Sequence, residues 1–247
     1  MIEERHQQIL DILFKKQYAS VNYLSKELFV SPPTIRRDLI YLSNKNLIKR
    51  SHGGAMSMSE KNNDIPIEFR NGIKYKEKIT LAKAAAALAK EGDIIFIDAS
   101  TTTLHIVDYI KNLNDIIVIT NSMQVINLLK NYNITTYCTG GVLVENSFAF
   151  CGRLAESVIK EFNIDIMFFS SYSISEKGVI SDYSEIETSL RKTALNQSKT
   201  KVFLCDNDKF CKSSAFIVTT INDIDYFITN GSQIEAFDNS KTKIILA

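Results

Sequence analysis

The sequence predicts a short helical module followed by a larger domain in which strands and helices alternate. Within residues 1–57, apolar residues recur at helical spacing and the segment ends in a Gly-Gly turn. From residue 74 onward, short β-branched runs alternate with helical stretches, which is typical of an α/β domain. Residues 58–73 are mainly polar and contain Pro66 and Gly72, a composition typical of a linker. We therefore expect one domain at 1–57, a linker at 58–73 and a second domain at 74–247.

The composition limits the kinds of protein that this chain can be. Hydrophobic residues make up 45% of the 247 residues, and no apolar run approaches the roughly 18 residues of a membrane-spanning helix. With no N-terminal signal sequence, we expect a cytoplasmic protein without a membrane partner. The four cysteines form no CxxC pair and lie in or beside apolar runs, so buried, reduced thiols are expected. Because the three histidines show no metal spacing, neither a metal nor another cofactor is expected.

Charge is distributed unevenly along the chain. The net charge of the whole chain is +1, but residues 1–58 contain nine Lys/Arg against five Asp/Glu, which leaves the remainder mildly acidic. A basic segment attached to an acidic body is typical of a protein that holds an anionic partner at one end.

Three helices are predicted in the first 45 residues. Ile2, Ile9 and Leu13 fall on one face of a helix that covers about residues 2–16. Ser20 is an N-cap candidate for a second helix, and Ser31 is one for a third. Two prolines follow Ser31 and are tolerated in a first turn, because their missing N–H groups would be unpaired there.

The third helix combines an apolar face with a polar, basic one. Ile35, Leu39 and Leu42 recur at helical spacing and should face the core, so the threonine and arginines of residues 34–37 point outward. Strands at 47–50 and 55–56 would form a wing, joined across the Gly-Gly turn. This is the winged helix-turn-helix pattern, which predicts a DNA-binding domain.

Contacts of two kinds are predicted for this module. The third helix can enter the major groove, where Thr34 and Arg36 or Arg37 would meet base edges or phosphates, and the wing can reach the backbone or the minor groove. The alternative is that Arg37 pairs with Asp38 or Asp11 and that the helix face is merely solvated. The candidate DNA-binding residues are Ser31, Thr34, Arg36, Arg37, Lys49, Arg50, His52 and Gly53.

The second part begins with an alanine-rich helix, expected from Lys74 to about Lys90. The predicted strands are 94–97, 116–119, 134–138, 166–169, 202–205 and 226–228, and the predicted helices are 102–111, 122–130, 153–162 and 186–199. Apolar strands alternating with helices predict a mainly parallel sheet covered on both faces.

Polar residues follow the ends of several predicted strands. Because ligands of such sheets bind beyond the carboxyl ends of the strands, these residues predict a pocket for a polyhydroxylated anion. The hydroxyl and N–H groups of residues 98–103 suit a phosphate or carboxylate, Lys209 adds a cation, and Asp98 or Glu185 would accept from sugar hydroxyls. The alternative for each threonine is simple helix capping, and for Asp206 and Lys209 it is ordinary turn chemistry. The candidate effector-binding residues are Asp98, Ser100, Thr101, Thr102, Thr103, Thr120, Asn121, Ser122, Gly140, Gly141, Glu185, Asp206 and Lys209.

Two motifs carry a resemblance to a known family. Residues 34–39 read Thr-Ile-Arg-Arg-Asp-Leu, and residues 50–55 read Arg-Ser-His-Gly-Gly-Ala. In combination they closely resemble the DNA-binding domain of the DeoR family of bacterial transcription regulators. The sensor domain of that family is resembled by residues 69–70, 77–78, 92–93, 98–103, 120–122, 140–141, 178, 184–187, 192 and 206–210.

The resemblance implies a fold and a function. The sensor domain looks like the ribose-5-phosphate isomerase and CoA-transferase type of α/β domain. A phosphorylated sugar bound there would alter the affinity for double-stranded operator DNA, and repression is implied because most members repress. The chain departs from the family where Ser100, Ser170 and Ser173 stand in place of usual glycines, and where Asp208 adds a second carboxylate beside Lys209.

Three functions therefore compete. The first is a repressor of a sugar-metabolism operon, acting as a homo-oligomer (dimer or tetramer) because one winged domain makes only a small interface with DNA. The second is a sugar-phosphate isomerase or transferase with an attached DNA-binding module, since Asp98, Glu185, Glu187 and Lys209 supply groups for proton transfer. The third is an oligomerisation scaffold with a vestigial pocket. No catalytic residue is assigned, because the sequence contains no recognisable nucleophile–base pair.

Overall fold

Two units make up the chain: the winged-helix unit, Met1–Ile73, and the α/β unit, Lys74–Ala247. The computed structural model describes residues 2–16, 18–45, 47–51, 53–57, 67–231, 237 and 240–247.

The winged-helix unit packs three helices against a small antiparallel sheet. The helices are α1 (Ile2–Lys16), α2 (Val21–Glu27) and α3 (Pro32–Asn44), and the strands are β1 (Tyr18–Ser20), β2 (Ile48–Ser51) and β3 (Gly54–Ser57). The strand order is β1-β3-β2. Buried aliphatic side chains, among them Ile9, Leu24, Leu39 and Ala55, form one shared core. The predicted winged helix-turn-helix is confirmed, and β1, which the sequence pattern does not reveal, completes its sheet.

Local sequence explains where α2 and α3 begin. The Ser20 hydroxyl accepts a hydrogen bond from the Tyr23 amide at 3.1 Å, as predicted for an N-cap. Ser31 also precedes its helix, but its hydroxyl bonds the Thr34 hydroxyl at 2.9 Å instead of a backbone amide. Pro32 takes the first helical position, where no N–H is needed. Ser31 and Thr34 therefore present their polar groups together at the start of α3.

A further helix, α4 (Ile67–Gly72), lies in the segment for which the sequence predicts a linker. It belongs to the winged-helix unit, since a side chain added at Gly72 would collide with that of Gln7 on α1. The rest of the predicted linker, residues 58–66, lies outside the described residues.

The α/β unit is built on a parallel sheet that has seven strands in the described part of the chain. The strands of the unit are β4 (Ile94–Ile97), β5 (Ile117–Thr120), β6 (Thr135–Cys138), β7 (Val142–Val144), β8 (Ala149–Cys151), β9 (Ile164–Phe169), β10 (Ser173–Ile174), β11 (Val179–Asp182), β12 (Ser198–Cys205), β13 (Phe216–Thr220), β14 (Tyr226–Thr229) and β15 (Lys243–Leu246). Its helices are α5 (Tyr75–Ala86), α6 (Val107–Ile110), α7 (Met123–Leu129), α8 (Arg153–Lys160) and α9 (Glu185–Gln197). The order across the large sheet is β15-β14-β12-β9-β4-β5-β6, with every pairing parallel.

Helices cover both faces of this sheet, because successive residues of a strand point to opposite sides. Ile95 and Ile97 share a core with α5, α6 and α7, whereas Phe96 shares one with α8 and α9. Phe168 and Phe169 of β9 divide between the two cores in the same way. The predicted parallel sheet with helices on both faces is confirmed.

The direction of strand addition reverses at β4. From β4 the chain continues to β5 and β6 on one side, then returns to β9 on the other side and proceeds to β12, β14 and β15. At such a switch point the connections leave in opposite directions and a crevice remains beyond the carboxyl ends of the two strands. Asp98 and Ser170 are the first residues beyond those ends.

Two helices of the α/β unit depart clearly from their predicted bounds, whereas α7, α8 and α9 differ from theirs only at the terminal residues. α5 ends at Ala86 rather than near Lys90, because the following amides bond carbonyls three residues back and the Asp93 carboxylate accepts from the Lys90 amide at 2.7 Å. The helix expected at 102–111 is a 3-10 turn over Thr103–Ile106 followed by α6.

Other differences concern strands and cysteines. The hairpin β7–β8, the antiparallel sheet β10-β11-β13 and the edge strand β15 are absent from the predicted elements. Cys151 and Cys205 are buried as expected, and burial raises the pKa of Cys151 to about 12. Cys138, on the edge strand β6, and Cys211 are exposed, so the expectation of buried thiols is wrong for these two. Within the described ranges, no helix is both long and apolar enough to cross a bilayer.

Candidate functional site

The exposed face of α3 carries the arginines that the sequence singles out. Arg36 and Arg37 are exposed, and neither forms a hydrogen bond or ion pair with another described residue. The alternative pairing of Arg37 with Asp38 does not occur, because Asp38 is buried on the inner side of α3. Both guanidinium groups are therefore available to an external anion.

Asp38 instead fastens α3 to α1. Arg5 donates to it from Nε at 2.7 Å and from Nη2 at 3.0 Å, and His6 Nε2 lies 3.0 Å from Asp38 Oδ1. The His6 ring also stacks on Tyr41 of α3, with ring centroids 4.8 Å apart. Burial by itself raises the pKa of Asp38, but the hydrogen bonds from Arg5 and His6 lower it below its ordinary value. Sequence reasoning missed these partners, because they lie more than thirty residues away in the chain.

The wing supplies two more cations. Lys49 and Arg50 of β2 are exposed. Gly53 has φ +84°, in the left-handed region that favours glycine. Gly54 is required for a different reason: a side chain there would meet the carbonyl oxygen of Ala19 on the paired strand β1. The Gly-Gly pair thus fixes a tight wing, while His52, a further predicted contact, lies outside the described residues.

The 98–103 loop of the α/β unit is held by its own polar groups. Asp98 Oδ1 accepts from the Ser100 amide at 3.1 Å and from the Thr103 hydroxyl at 2.7 Å. The other oxygen, Oδ2, accepts from the Ser170 amide at 3.3 Å, which ties the ends of β4 and β9 together. Asp98 is only 1% exposed, so it shapes the loop and is not open to a sugar hydroxyl. Thr101 and Thr102 complete the loop and are buried.

Ser100, the departure from glycine, fits this loop without strain. Its φ is not in the left-handed region, so the position does not require glycine. The Ser100 hydroxyl accepts from the Thr103 amide at 3.2 Å and lies 2.8 Å from the Thr103 hydroxyl. The serine therefore satisfies the first amide of the 3-10 turn that follows.

A buried guanidinium joins three carboxylates next to this loop. Arg191 of α9 donates to Asp98 at 3.1 Å, to Asp182 at 3.0 Å and to Glu187 at 3.3 Å. Glu187 also accepts from the Ser147 hydroxyl at 3.0 Å. Burial by itself lowers the pKa of Arg191, but the three carboxylates raise it well above its ordinary value, so the guanidinium is charged. This cluster, Asp98–Asp182–Glu187–Arg191, locks three separate segments of the chain around the switch point.

Sequence reasoning placed a different glutamate here. Glu185 lies exposed at the start of α9, whereas Glu187 enters the cluster. The spacing of Glu187 and Arg191, four residues apart on one helix, is a signal that could have found this pair. No comparable signal links Asp182 to either of them, since helix α9 begins only after a turn.

Lys209 lies at the switch point through its contact with the end of β9. Its Nζ donates to the Ser170 hydroxyl at 2.7 Å and lies 3.8 Å from Asp206 Oδ2. Ser170 is a second position where the family usually has glycine, and its hydroxyl donates a hydrogen bond to the Leu204 carbonyl at 2.7 Å. The Lys209 side chain is 22% exposed, so the cation is held in place and remains reachable.

More than one lysine surrounds Asp206. Burial by itself raises the pKa of Asp206, but Lys209, Lys74 and Lys78 lower it below its ordinary value. Lys74 and Lys78 precede and begin α5, one helical turn apart, and sequence reasoning did not assign them to the site. The site thus contains more positive charge than the sequence predicts.

Residues after β5 and β6 contribute mainly to the fold. Thr120 donates to the Ile97 carbonyl of the neighbouring strand β4 at 2.6 Å, and the Ser122 hydroxyl caps α7 by accepting from the Val125 amide. Gly140 and Gly141 form a turn in the left-handed region. Ser173, a third departure from glycine, lies in a buried hydroxyl network with Ser181.

Two of the buried polar atoms that lack a hydrogen-bond partner within the described residues belong to predicted effector-binding residues. Thr102 Oγ1 and Asn121 Oδ1 have no hydrogen-bond partner there, although Thr102 is 0% and Asn121 3% exposed. Buried polar groups are normally paired, so each of these atoms is a candidate contact for a bound molecule. Both belong to the segments that follow β4 and β5, where ligand contacts are expected.

The winged helix and its exposed arginines define a DNA-binding protein. Residues 5–61 match the model of the DeoR-like helix-turn-helix domain, and residues 73–231 match that of the DeoR C terminal sensor domain. The chain belongs to the DeoR family of transcriptional regulators.

Similar proteins include both a transcriptional activator and a transcriptional repressor. The chain is 33% identical to the L-fucose operon activator of Haemophilus influenzae, over 92% of each chain. It is 29% identical to the transcriptional repressor AccR of Agrobacterium fabrum, over 92% of this chain and 89% of that one. Among solved structures, the ribose 5-phosphate isomerase of Methanocaldococcus jannaschii is 21% identical, with a TM-score of 0.40 over 54% of this chain and 53% of that one.

Proposed function

We propose that this chain represses a sugar-metabolism operon and that a phosphorylated sugar, bound beyond the carboxyl ends of the sheet, controls its affinity for operator DNA. The observation that carries the proposal is the arrangement at the switch point between β4 and β9. There, Lys209 is fixed by Ser170 beside the hydroxyl-rich 98–103 loop. A cation, hydroxyl donors and loop amides suit a phosphate.

The hydroxyl groups of the sugar would be recognised by the unsatisfied atoms. Thr102 Oγ1 and Asn121 Oδ1 are buried and have capacity for further hydrogen bonds. Asp98, in contrast, is fully engaged with the loop and with Arg191, so we assign it a positioning role. The same engagement disfavours an enzymatic function, because the Asp98 carboxylate is not open to act as a general base.

The output would be DNA binding by the winged-helix unit. We assign base-edge or phosphate contacts to Thr34, Arg36 and Arg37, and backbone or minor-groove contacts to the wing. The residues proposed to bind DNA are Ser31, Thr34, Arg36, Arg37, Lys49, Arg50, His52 and Gly53. One such module makes a small interface, so we propose that the chain acts as a homo-oligomer in the cytoplasm.

The proposal that the chain represses, and does not activate, transcription rests on its resemblance to the family. AccR is named a repressor, and the Haemophilus relative is named an operon activator for a sugar. Repression is the sign that the family resemblance favours, and both names are compatible with an effector that changes DNA affinity.

One experiment tests the effector and its effect on DNA together. A duplex is first selected from a random-sequence library by the full chain, and its release is then followed by fluorescence anisotropy during titration with phosphorylated pentoses and hexoses. Thermal unfolding is recorded in parallel, since a ligand at 100 times its Kd stabilises by about 2.7 kcal/mol. We expect a phosphorylated sugar to stabilise the protein and change DNA affinity, while its unphosphorylated form does neither.

Lys209→Ala should bind the duplex normally and lose most of the response, whereas Lys212→Ala, a matched change at an exposed lysine three residues later, should keep it. An intact response in Lys209→Ala would remove Lys209 from the ligand site. Turnover of a phosphorylated sugar by the purified chain would instead favour the enzyme alternative.

A further inference from the structure

Asp208 does not lie where its sequence position suggests. Although it precedes Lys209 directly, its carboxylate pairs with Lys74, with Nζ and Oδ2 2.7 Å apart. Lys209 turns to Ser170 instead. The additional carboxylate of this loop is therefore directed at a cation that lies more than a hundred residues earlier in the chain.

Lys74 is surrounded by acidic groups. Besides Asp208, its Nζ lies 3.6 Å from Asp206 Oδ1 and 3.5 Å from Glu77 Oε2. Burial by itself lowers the pKa of Lys74, but the hydrogen bond with Asp208 and the charge of Asp206 raise it above its ordinary value, so the side chain is charged. Lys74 therefore shares the Asp206 carboxylate with Lys209, which lies 3.8 Å from its other oxygen.

The Asp208 contact is the one that can be exchanged. Asp208 is 40% exposed on a three-residue 3-10 turn, Asn207–Lys209, whereas Asp206 is 7% exposed and also caps that turn. The Lys74 side chain is 22% exposed and its Asp208 partner is open to solvent, so an incoming anion can reach the lysine and compete with Asp208 for it. Asp206, being buried, would stay in place.

Lys74 is also conformationally special. Its φ of +53° and ψ of +39° are left-handed, a region that residues other than glycine rarely adopt. The Lys74 carbonyl accepts the first hydrogen bond of α5, from the Lys78 amide at 3.0 Å. A second link runs from the same loop to α5, since the Asn207 amide donates to Asn230 and Asn230 donates to Glu77. The 206–209 loop thus holds the Lys74 side chain directly and, through Asn230, the Glu77 side chain of α5.

We propose that Lys74 is an anion-binding residue of the effector site and that Asp208 is its internal competitor, so that phosphate binding transfers Lys74 from Asp208 to the phosphate. This inference rests on the proposed function, because it concerns the same site. Residue 74 is the first residue of the α/β unit, where the chain arrives from the winged-helix unit. A change in what holds Lys74 there would relax its left-handed backbone and alter the chain that joins the units. Ligand binding shifts this equilibrium only by its differential affinity for the two arrangements.

The test is a double-mutant cycle on the full chain, with inorganic phosphate as the probe and calorimetry as the measurement. Asp208→Asn removes the competing charge at nearly constant size and should tighten phosphate binding about fivefold or more. Lys74→Met should weaken it, and in the Lys74→Met background the gain from Asp208→Asn should disappear. Asp108→Asn, at an exposed aspartate paired loosely with Lys111, is the matched control and should leave binding unchanged.

Hydrogen exchange supplies a second measurement that does not depend on affinity. Phosphate should change the hydrogen-exchange rate of the Lys78 amide in the wild-type chain. Asp208→Asn should show the same altered rate without any phosphate.

Different failures have different meanings. Asp208→Asn could raise phosphate affinity equally in the wild-type and Lys74→Met backgrounds, or raise it in neither. Either result would overturn the proposed competition and leave the effector site intact. If neither the wild type nor Asp208→Asn binds phosphate, the inference and the proposed function fail together.

Discussion

The two candidate interfaces hold their charges in opposite ways. On α3, Arg36 and Arg37 are exposed and make no ion pair with a described residue. The acidic residue next to them, Asp38, lies between α1 and α3 and pairs with Arg5 of α1. At the switch point, in contrast, nearly every charge already has a partner: Arg191 binds three carboxylates, and Lys209 binds Ser170.

This difference follows from the partners that the two sites would meet. DNA presents a long row of phosphates, so a surface that binds it needs cations that can reach outward. A small anion inside a protein requires a site whose shape is set in advance, and buried charges are tolerated only when they are paired. The outward cations of α3 are therefore replaceable one at a time, whereas the buried groups of the α/β unit act as a set.

The largest effect is expected at the buried set. Arg191→Met leaves three buried carboxylates without their counter-charge, so it should destabilise the α/β unit by about 3–5 kcal/mol. Urea unfolding of the full chain, followed by circular dichroism, measures this. Arg153→Met, at an exposed arginine on α8, is the matched control and should change stability by less than about 0.5 kcal/mol. Similar losses of stability in the two variants would show that the buried, paired arginine contributes no more than an exposed one.

An intermediate effect is expected on the outward cations. Arg36→Ala should leave stability unchanged and weaken binding to the selected duplex by about 1–3 kcal/mol. If Arg36 contacts a phosphate, the slope of log binding constant against log salt concentration falls in magnitude by about one, and binding to all sequences weakens equally. If Arg36 contacts a base edge, the sequence preference relaxes at one position of the duplex. The same measurements on Arg37→Ala separate the two arginines. Full affinity in both variants would remove the exposed face of α3 from the interface.

The smallest effect is expected where the winged-helix unit does have a paired charge. Asp38→Asn keeps the size of the side chain but weakens its hydrogen bonds with Arg5 and His6, so it should destabilise that unit by about 1 kcal/mol at neutral pH. Because the pKa of Asp38 is lowered in the folded chain, its contribution is present above the ordinary aspartate pKa of about 3.9 and is lost as the pH falls through the lower folded-state value. Thermal unfolding of wild type and variant should therefore converge in acid. A constant difference at every pH would assign the effect to packing.

Much of the fold was predictable because it depends on local signals. Ser20 caps α2 as its sequence position indicates, and the apolar runs around Ile95 and Phe168 become central strands of the sheet. Elements without such signals were missed: β1 is three residues long, and β11 contains Ser181 and Asp182 in place of an apolar run. Their pairing depends on strands distant in sequence, which a local pattern does not contain.

The candidate sites divide along the same line. The sequence by itself determined that α3 and the wing present cations outward, because helical spacing and a Gly-Gly turn specify which side chains face the core. It also determined that polar loops gather beyond the carboxyl ends of the strands, because all strands of a parallel sheet end at one edge.

Tertiary structure alone decided which of those polar groups remain available. Asp98 is taken by Arg191, Glu187 replaces Glu185 in the buried cluster, and Asp208 turns from Lys209 to Lys74. Each of these choices joins residues from different strands and helices. Hydrogen bonds and ion pairs form between neighbours in space, so their partners are set only once the chain has folded.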